Sequence, residues 1–126
     1  MANHPLRAIA WVLFGMVLMG AIVWLTMPAL MVIQHESPRD YQGTVAALQQ
    51  AIAAKQDWKI PSVSDFQKTI NEAGHGPIDK VGSIALCNPR YASRILADPR
   101  NRKVTAFMPL AIGVYEDGKG RVYVSQ

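Results

Sequence analysis

Nineteen consecutive residues near the start of the chain, Ala8–Thr26, read AIAWVLFGMVLMGAIVWLT and carry no charge. No other feature constrains the fold as strongly. A helix rises about 1.5 Å per residue, so about 20 apolar residues cover the roughly 30 Å of bilayer hydrocarbon. Trp11 and Trp24 stand near the two ends of the run. There an indole can keep its ring in lipid and its N–H in the headgroup zone. Phe14 adds bulk to the same anchor. Pro5 suits a first helical turn and Pro28 a stop. The pattern predicts one transmembrane anchor over residues 1–28 and a domain over residues 29–126. Two other readings fit less well. A cleaved signal peptide wants a small-residue cleavage site, and no A-x-A follows the run. A buried core helix, apolar on every side, would need more surrounding protein than 126 residues provide.

Charge sets the expected orientation. Arg7 lies just before the run, and the next basic residue is Arg39. A basic residue flanking only the N-terminal end favours a cytoplasmic N-terminus and a translocated domain. The glycines at 15 and 20 are five apart and so do not share a helix face, which argues against a tight glycine-mediated homodimer. The bulky Trp, Phe and Met side chains suit lipid or a larger partner's helices. Of 13 Lys and Arg only Arg7 precedes residue 34, and all nine Asp and Glu follow it, so the domain carries net +3. That excess is interrupted by acids and lacks the dense, aromatic-interleaved stripe of a nucleic-acid binder, so no nucleic-acid partner is expected. One cysteine, Cys87, excludes an intramolecular disulfide.

The remainder reads as alternating short strands and helices. Leu30–His35 reads as a strand, reached from Pro28 by a tether of less than roughly 20 Å, which would hold the domain against the membrane. Asp40 caps a helix over Tyr41–Gln56, with Val45, Leu48 and Ile52 on its apolar side. Trp58–Ile60 reads as a strand stopped at Pro61. Ser64 to Gln67 reads as a capping box for a short helix ended by Gly74. Lys80–Cys87 reads as a strand, and Asn88-Pro89 opens a helix to Ala97 with Tyr91, Ala92, Ile95 and Leu96 facing inward. Lys103–Met108 and Leu110–Tyr115 read as strand on either side of Pro109. Glu116 to Gly120 then turns into Arg121–Val124. The order β-α-β-α-β-α-β-β with a closing hairpin predicts an α+β domain, helices on one face of a mainly antiparallel sheet.

Several spaced motifs carry a resemblance. Thr44-Val45 with Leu48, then Leu86-Cys87-x-Pro89-x-x-Ala92 with Ile95-Leu96, then Met108-Pro109, Val114-Tyr115, Asp117-Gly118 and Val122-Tyr123-Val124-Ser125 stand in that order. Over most of residues 31–126 the chain is similar to the bacterial and archaeal family catalogued as domain of unknown function 302. The resemblance implies a compact α+β domain and no particular reaction. Many members look like Met-Pro-Cys-Arg where this chain has Met108-Pro109-Leu110-Ala111. Chemistry needing a second thiol, or a thiol beside that guanidinium, is therefore not expected here.

Few residues suggest chemistry. Cys87 ends a strand and precedes a helix start, where thiolates are favoured by the helix dipole and free N–H groups. It reads either as a reactive thiolate or soft ligand, or as the small buried hydrophobe that most lone cysteines are. By ligand type, His35, Cys87 and Met108 could serve copper(I) or haem, but nothing in their spacing argues for it. His4 and His75 pair with nothing at metal-ligand spacing, and no CxxC exists. No metal centre is expected. Gly74-His75-Gly76 lacks the Gly-Lys-Ser/Thr ending of a phosphate loop, and no nucleophile elbow is present, so a hydrolase has no motif behind it. The acids fall mostly at caps and turns.

Together these point to a single-pass protein of the bacterial inner membrane with a periplasmic C-terminal domain. Its expected role is a non-enzymatic accessory or stabilising subunit of a larger respiratory or photosynthetic membrane complex. The competing expectation is a thiol-redox or metal- or haem-binding protein centred on Cys87.

Overall fold

The structure, a computed structural model, describes residues 4–126. The chain separates into two compact units that divide between Ile33 and Gln34.

The first unit is a helix, α1 (His4–Met31). The described side chains from Arg7 to Met27 are all exposed, and this stretch is long and apolar enough to cross a membrane. The hydroxyl of Thr26 is satisfied within the helix, donating to the Ile22 carbonyl at 2.8 Å. Trp11 and Phe14, three apart, meet edge to face with ring centroids 6.1 Å apart. The helix passes the expected stop at Pro28 and ends one turn later. A proline forfeits its own amide bond, and near a C-terminus little helix is left to lose. The strand expected over Leu30–His35 accordingly starts later, as β1 (Gln34–Ser37).

The second unit continues with α2 (Tyr41–Ala53), β2 (Val63–Asp65), α3 (Phe66–Glu72), β3 (Val81–Leu86), α4 (Pro89–Leu96), a 3₁₀ segment (Pro99–Phe107), β4 (Leu110–Glu116) and β5 (Val122–Ser125). Its five strands form one sheet in the order β1-β5-β4-β3-β2, with every pairing antiparallel. The α+β class and the antiparallel sheet are as the element order predicts.

The register explains the core. Gly82 opposes Val114, Val114 opposes Val124, and Ile84 opposes Ile112, so these side chains share one sheet face. Against it α2 lays Tyr41, Val45 and Leu48, which pack with Val114 and Val122. Ile84 and Val114 are each only 1% exposed. Asp40 caps α2 as expected, accepting from the Gly43 amide at 2.9 Å. The buried Thr44 hydroxyl pairs with Ser37 at 2.7 Å and so ties the start of α2 to β1. Burial, with Asp65 close by, pushes the Tyr41 phenol above its ordinary range.

Three further elements differ from the sequence expectation. Trp58–Ile60 contributes only a single bridge, Lys59 to Cys87, and the ladder resumes as β2 beyond Pro61. Proline has no N–H to give a ladder, so the pairing breaks there. Ser64 stays in β2 opposite Ser83, which leaves the capping of α3 to Asp65; its carboxylate accepts from the Lys68 amide at 2.9 Å. Gly74 ends α3 as expected, with φ +79° and the paired bonds Gly74 N–H to Asn71 and His75 N–H to Ile70. Lys103–Met108 is no strand. Asp98 and Pro99 open a 3₁₀ segment there, and the Asn101 and Arg102 side chains bond back to the Ile95 and Leu96 carbonyls.

Candidate functional site

The end of β3, α4 and the start of β4, with Trp58, line an apolar hollow of about 170 Å³. Its floor is Leu86, Cys87 and Trp58, one wall is Tyr91, Ala92 and Ile95 of α4, and the other is Met108-Pro109-Leu110. The sequence builds it through one cap. Asn88 is 8% exposed, and its carbonyl oxygen accepts from the Arg90 and Tyr91 amides at 3.1 and 3.2 Å. Pro89 has no N–H, and the Ala92 amide bonds the Asn88 backbone carbonyl. Every backbone donor of the first turn of α4 is thus accounted for.

Cys87 is half-buried in this hollow. Its backbone is fixed by two bonds to Lys59, at 2.8 and 2.9 Å. The N–H groups that would favour a thiolate at a helix start are held by Asn88. Met108 lines the same hollow, so the structure brings Cys87 and Met108 together. His35 lies elsewhere, opposite Val124 in β1, and lines a separate groove with Thr44, Leu48 and Val124. Among the described residues no three His, Cys, Asp or Glu side chains converge where a metal ion could sit. A more open hollow of about 350 Å³ adjoins it and shares Cys87, Ala92, Met108 and Pro109. Trp11, Phe14 and Trp24, the residues expected to anchor the chain, are exposed on α1.

The inward face expected for α4 is only half inward. Ala92 and Leu96 are partly covered, while Tyr91 and Ile95 are 58% and 41% exposed. Phe107 and Leu110 stand out further, at 80% and 60%. The signal was present as Arg90 and Arg94, which border the exposed apolar stripe one step around the helix. On the other sheet face, Tyr115 and Tyr123 stack at 5.5 Å, Arg121 lies over Tyr123, and the Tyr115 hydroxyl donates to Gln34 at 2.6 Å. Two turn carboxylates are held below their ordinary range. Asp98 is held there chiefly by the Arg100 side chain and Asp117 chiefly by the Arg121 amide.

Fold and site together define a small antiparallel α+β domain joined to an apolar helix, with an apolar hollow beside α4. The comparisons give that class its family. The pattern described as "Domain of unknown function DUF302" matches residues 33–126, and the chain belongs to that family. The second unit's fold recurs in the crystal structure of an uncharacterized conserved DUF302 protein from Bacillus stearothermophilus. That match has a TM-score of 0.66 at 18% identity and covers 75% of this chain and 71% of the other. No curated protein matches the chain.

Proposed function

We propose that the protein is a membrane-anchored, non-enzymatic interaction module, an accessory or stabilising subunit of a larger membrane complex of the respiratory or photosynthetic kind. The observation that carries this reading is α1, a helix apolar on all sides with every described side chain from Arg7 to Met27 exposed. Such a helix is stable in lipid or against other helices, not in water. Only Val32 and Ile33 separate it from β1, so the chain itself keeps the domain near whatever surface α1 enters. The Tyr115, Tyr123 and Arg121 cluster supplies residue types enriched at protein interfaces. With Arg7 before the span and no basic residue after it until Arg39, the domain is assigned to the periplasmic side of the bacterial inner membrane.

Purification of the full chain in mild detergent tests the subunit role. Other membrane subunits should co-elute in fixed proportion. Elution alone in every mild detergent would remove the proposal. Protease added to intact spheroplasts should digest the domain, and protection would reverse the orientation.

A further inference from the structure

The surplus positive charge of this chain is confined to one stretch. Residues 89–107 carry Arg90, Arg94, Arg100, Arg102 and Lys103 against Asp98 alone, which is net +4, and the whole chain is also +4. Everything outside the stretch balances to zero. All five basic side chains are exposed. Asp57 lies 3.8 Å from Arg90, and Asp98 holds Arg100 at 2.8 Å. Arg94, Arg102 and Lys103 remain directed at no acidic group among the described residues.

The same surface presents Tyr91, Ile95, Phe107 and Leu110 to solvent. In α4 the two kinds of side chain sort by geometry. Arg90 and Arg94 form one i, i+4 row, and Tyr91 and Ile95 form the adjoining row, about 100° further around the helix. Ala92 and Leu96 form the third row and turn into the fold. A row of guanidinium groups edging a row of exposed aromatic and aliphatic groups matches the layered chemistry of a bilayer surface. There phosphates lie outside and acyl carbon begins a few ångströms below.

We infer that the surface formed by α4, the 3₁₀ segment and the start of β4 seats on an anionic lipid bilayer. Phe107, Tyr91, Ile95 and Leu110 enter the boundary between headgroups and acyl chains. Arg94, Arg102 and Lys103 pair with lipid phosphates. The inference rests on the reading of α1 as a membrane anchor, because the two-residue link after α1 is what supplies a lipid surface within reach. An acidic protein surface would satisfy the charges alone. It would leave Phe107, the most exposed large apolar side chain of the domain, without an apolar layer to enter.

The test uses the full chain in nanodiscs of phosphatidylcholine, with or without phosphatidylglycerol. A polarity-sensitive fluorophore is placed at Phe107→Cys in a Cys87→Ala background, and a second preparation carries it at Lys119→Cys on the hairpin turn. The emission at position 107 should shift to the blue in the anionic discs, and that at position 119 should not. Arg94→Glu with Lys103→Glu should abolish the shift. In the unsubstituted chain, amide hydrogen exchange over residues 99–110 should slow on adding phosphatidylglycerol, which needs no engineered cysteine. Identical emission at 107 in both lipids, with unchanged exchange, overturns the inference while leaving the anchor intact. Quenching of solvent exposure at 107 only after a co-purified protein is added overturns it in favour of an acidic protein partner. Loss of the chain from both kinds of disc overturns the anchor and this surface together.

Discussion

Cys87 gives both its backbone groups to Lys59, and its neighbour Asn88 takes the helix-start donors. The thiol lines a hollow with Trp58, Ala92 and Met108, and a structural role would make it a packing group there. Cys87→Ala should therefore cost about 1 kcal/mol through lost contacts and leave association unchanged, as urea unfolding and co-purification would show. Fast labelling by a thiol reagent at neutral pH, with loss of a bound cofactor, would favour the redox or metal reading instead. Gly82 is a second constrained position. A Cβ there would stand 2.5 Å from both the Ser64 carbonyl and the Tyr41 hydroxyl. The tyrosine end can shift, but the neighbouring strand's backbone cannot without breaking the β2–β3 register. Gly82→Ala should destabilise the domain by about 1–3 kcal/mol, and an unchanged thermal midpoint would refute the close approach. A glycine inside a strand pattern is itself a signal of such an approach, although nothing in the sequence identifies Ser64 and Tyr41 as what it meets.

Elements whose local signals agree with their tertiary surroundings were legible. The Asp40 and Asn88 caps, the glycine stop of α3 and the final hairpin all hold. Residues 103–108 were not legible as 3₁₀. Their spaced apolar residues imitate a strand, and the bonds that decide otherwise come from Asn101 and Arg102 reaching back to α4. Periodicity alone did not reveal the exposure of Tyr91 and Ile95, since it marks an apolar face without saying what covers it; only the bordering Arg90 and Arg94 hinted at it. The cap of α4 offers a direct check on how that surface is held. Asn88→Ala should cost about 0.5–2 kcal/mol, seen in urea unfolding, and should raise amide exchange first in α4. Asn88→Asp keeps the acceptor and adds a favourable charge at a helix start, so it should retain most of the stability. Equal losses in the two variants would mean that the side-chain carbonyl of Asn88 does not hold the turn.

At the scale of the whole molecule the two units call for different solvents, and truncation separates them. The core residues Tyr41, Ile84, Val114 and Val122 all belong to the second unit, and β1 needs the chain only from Gln34, where it opposes Ser125. The family match likewise starts at residue 33. A chain beginning at Val32 should therefore fold cooperatively and stay in solution without detergent. The full chain should need detergent, because α1 has no polar face to offer water. If helix and domain both engage the same complex, joining them makes the second contact intramolecular. That raises avidity by roughly 10²–10⁴ without any new interaction. The truncated domain should lose association by a comparable factor in pull-downs from solubilised membranes, while its circular dichroism keeps the sheet and helix signals. Association as tight as that of the full chain would show that the domain alone carries recognition and that α1 only holds it at the membrane. A truncated chain that fails to fold would show that the second unit's core depends on residues before Val32, against the division between Ile33 and Gln34.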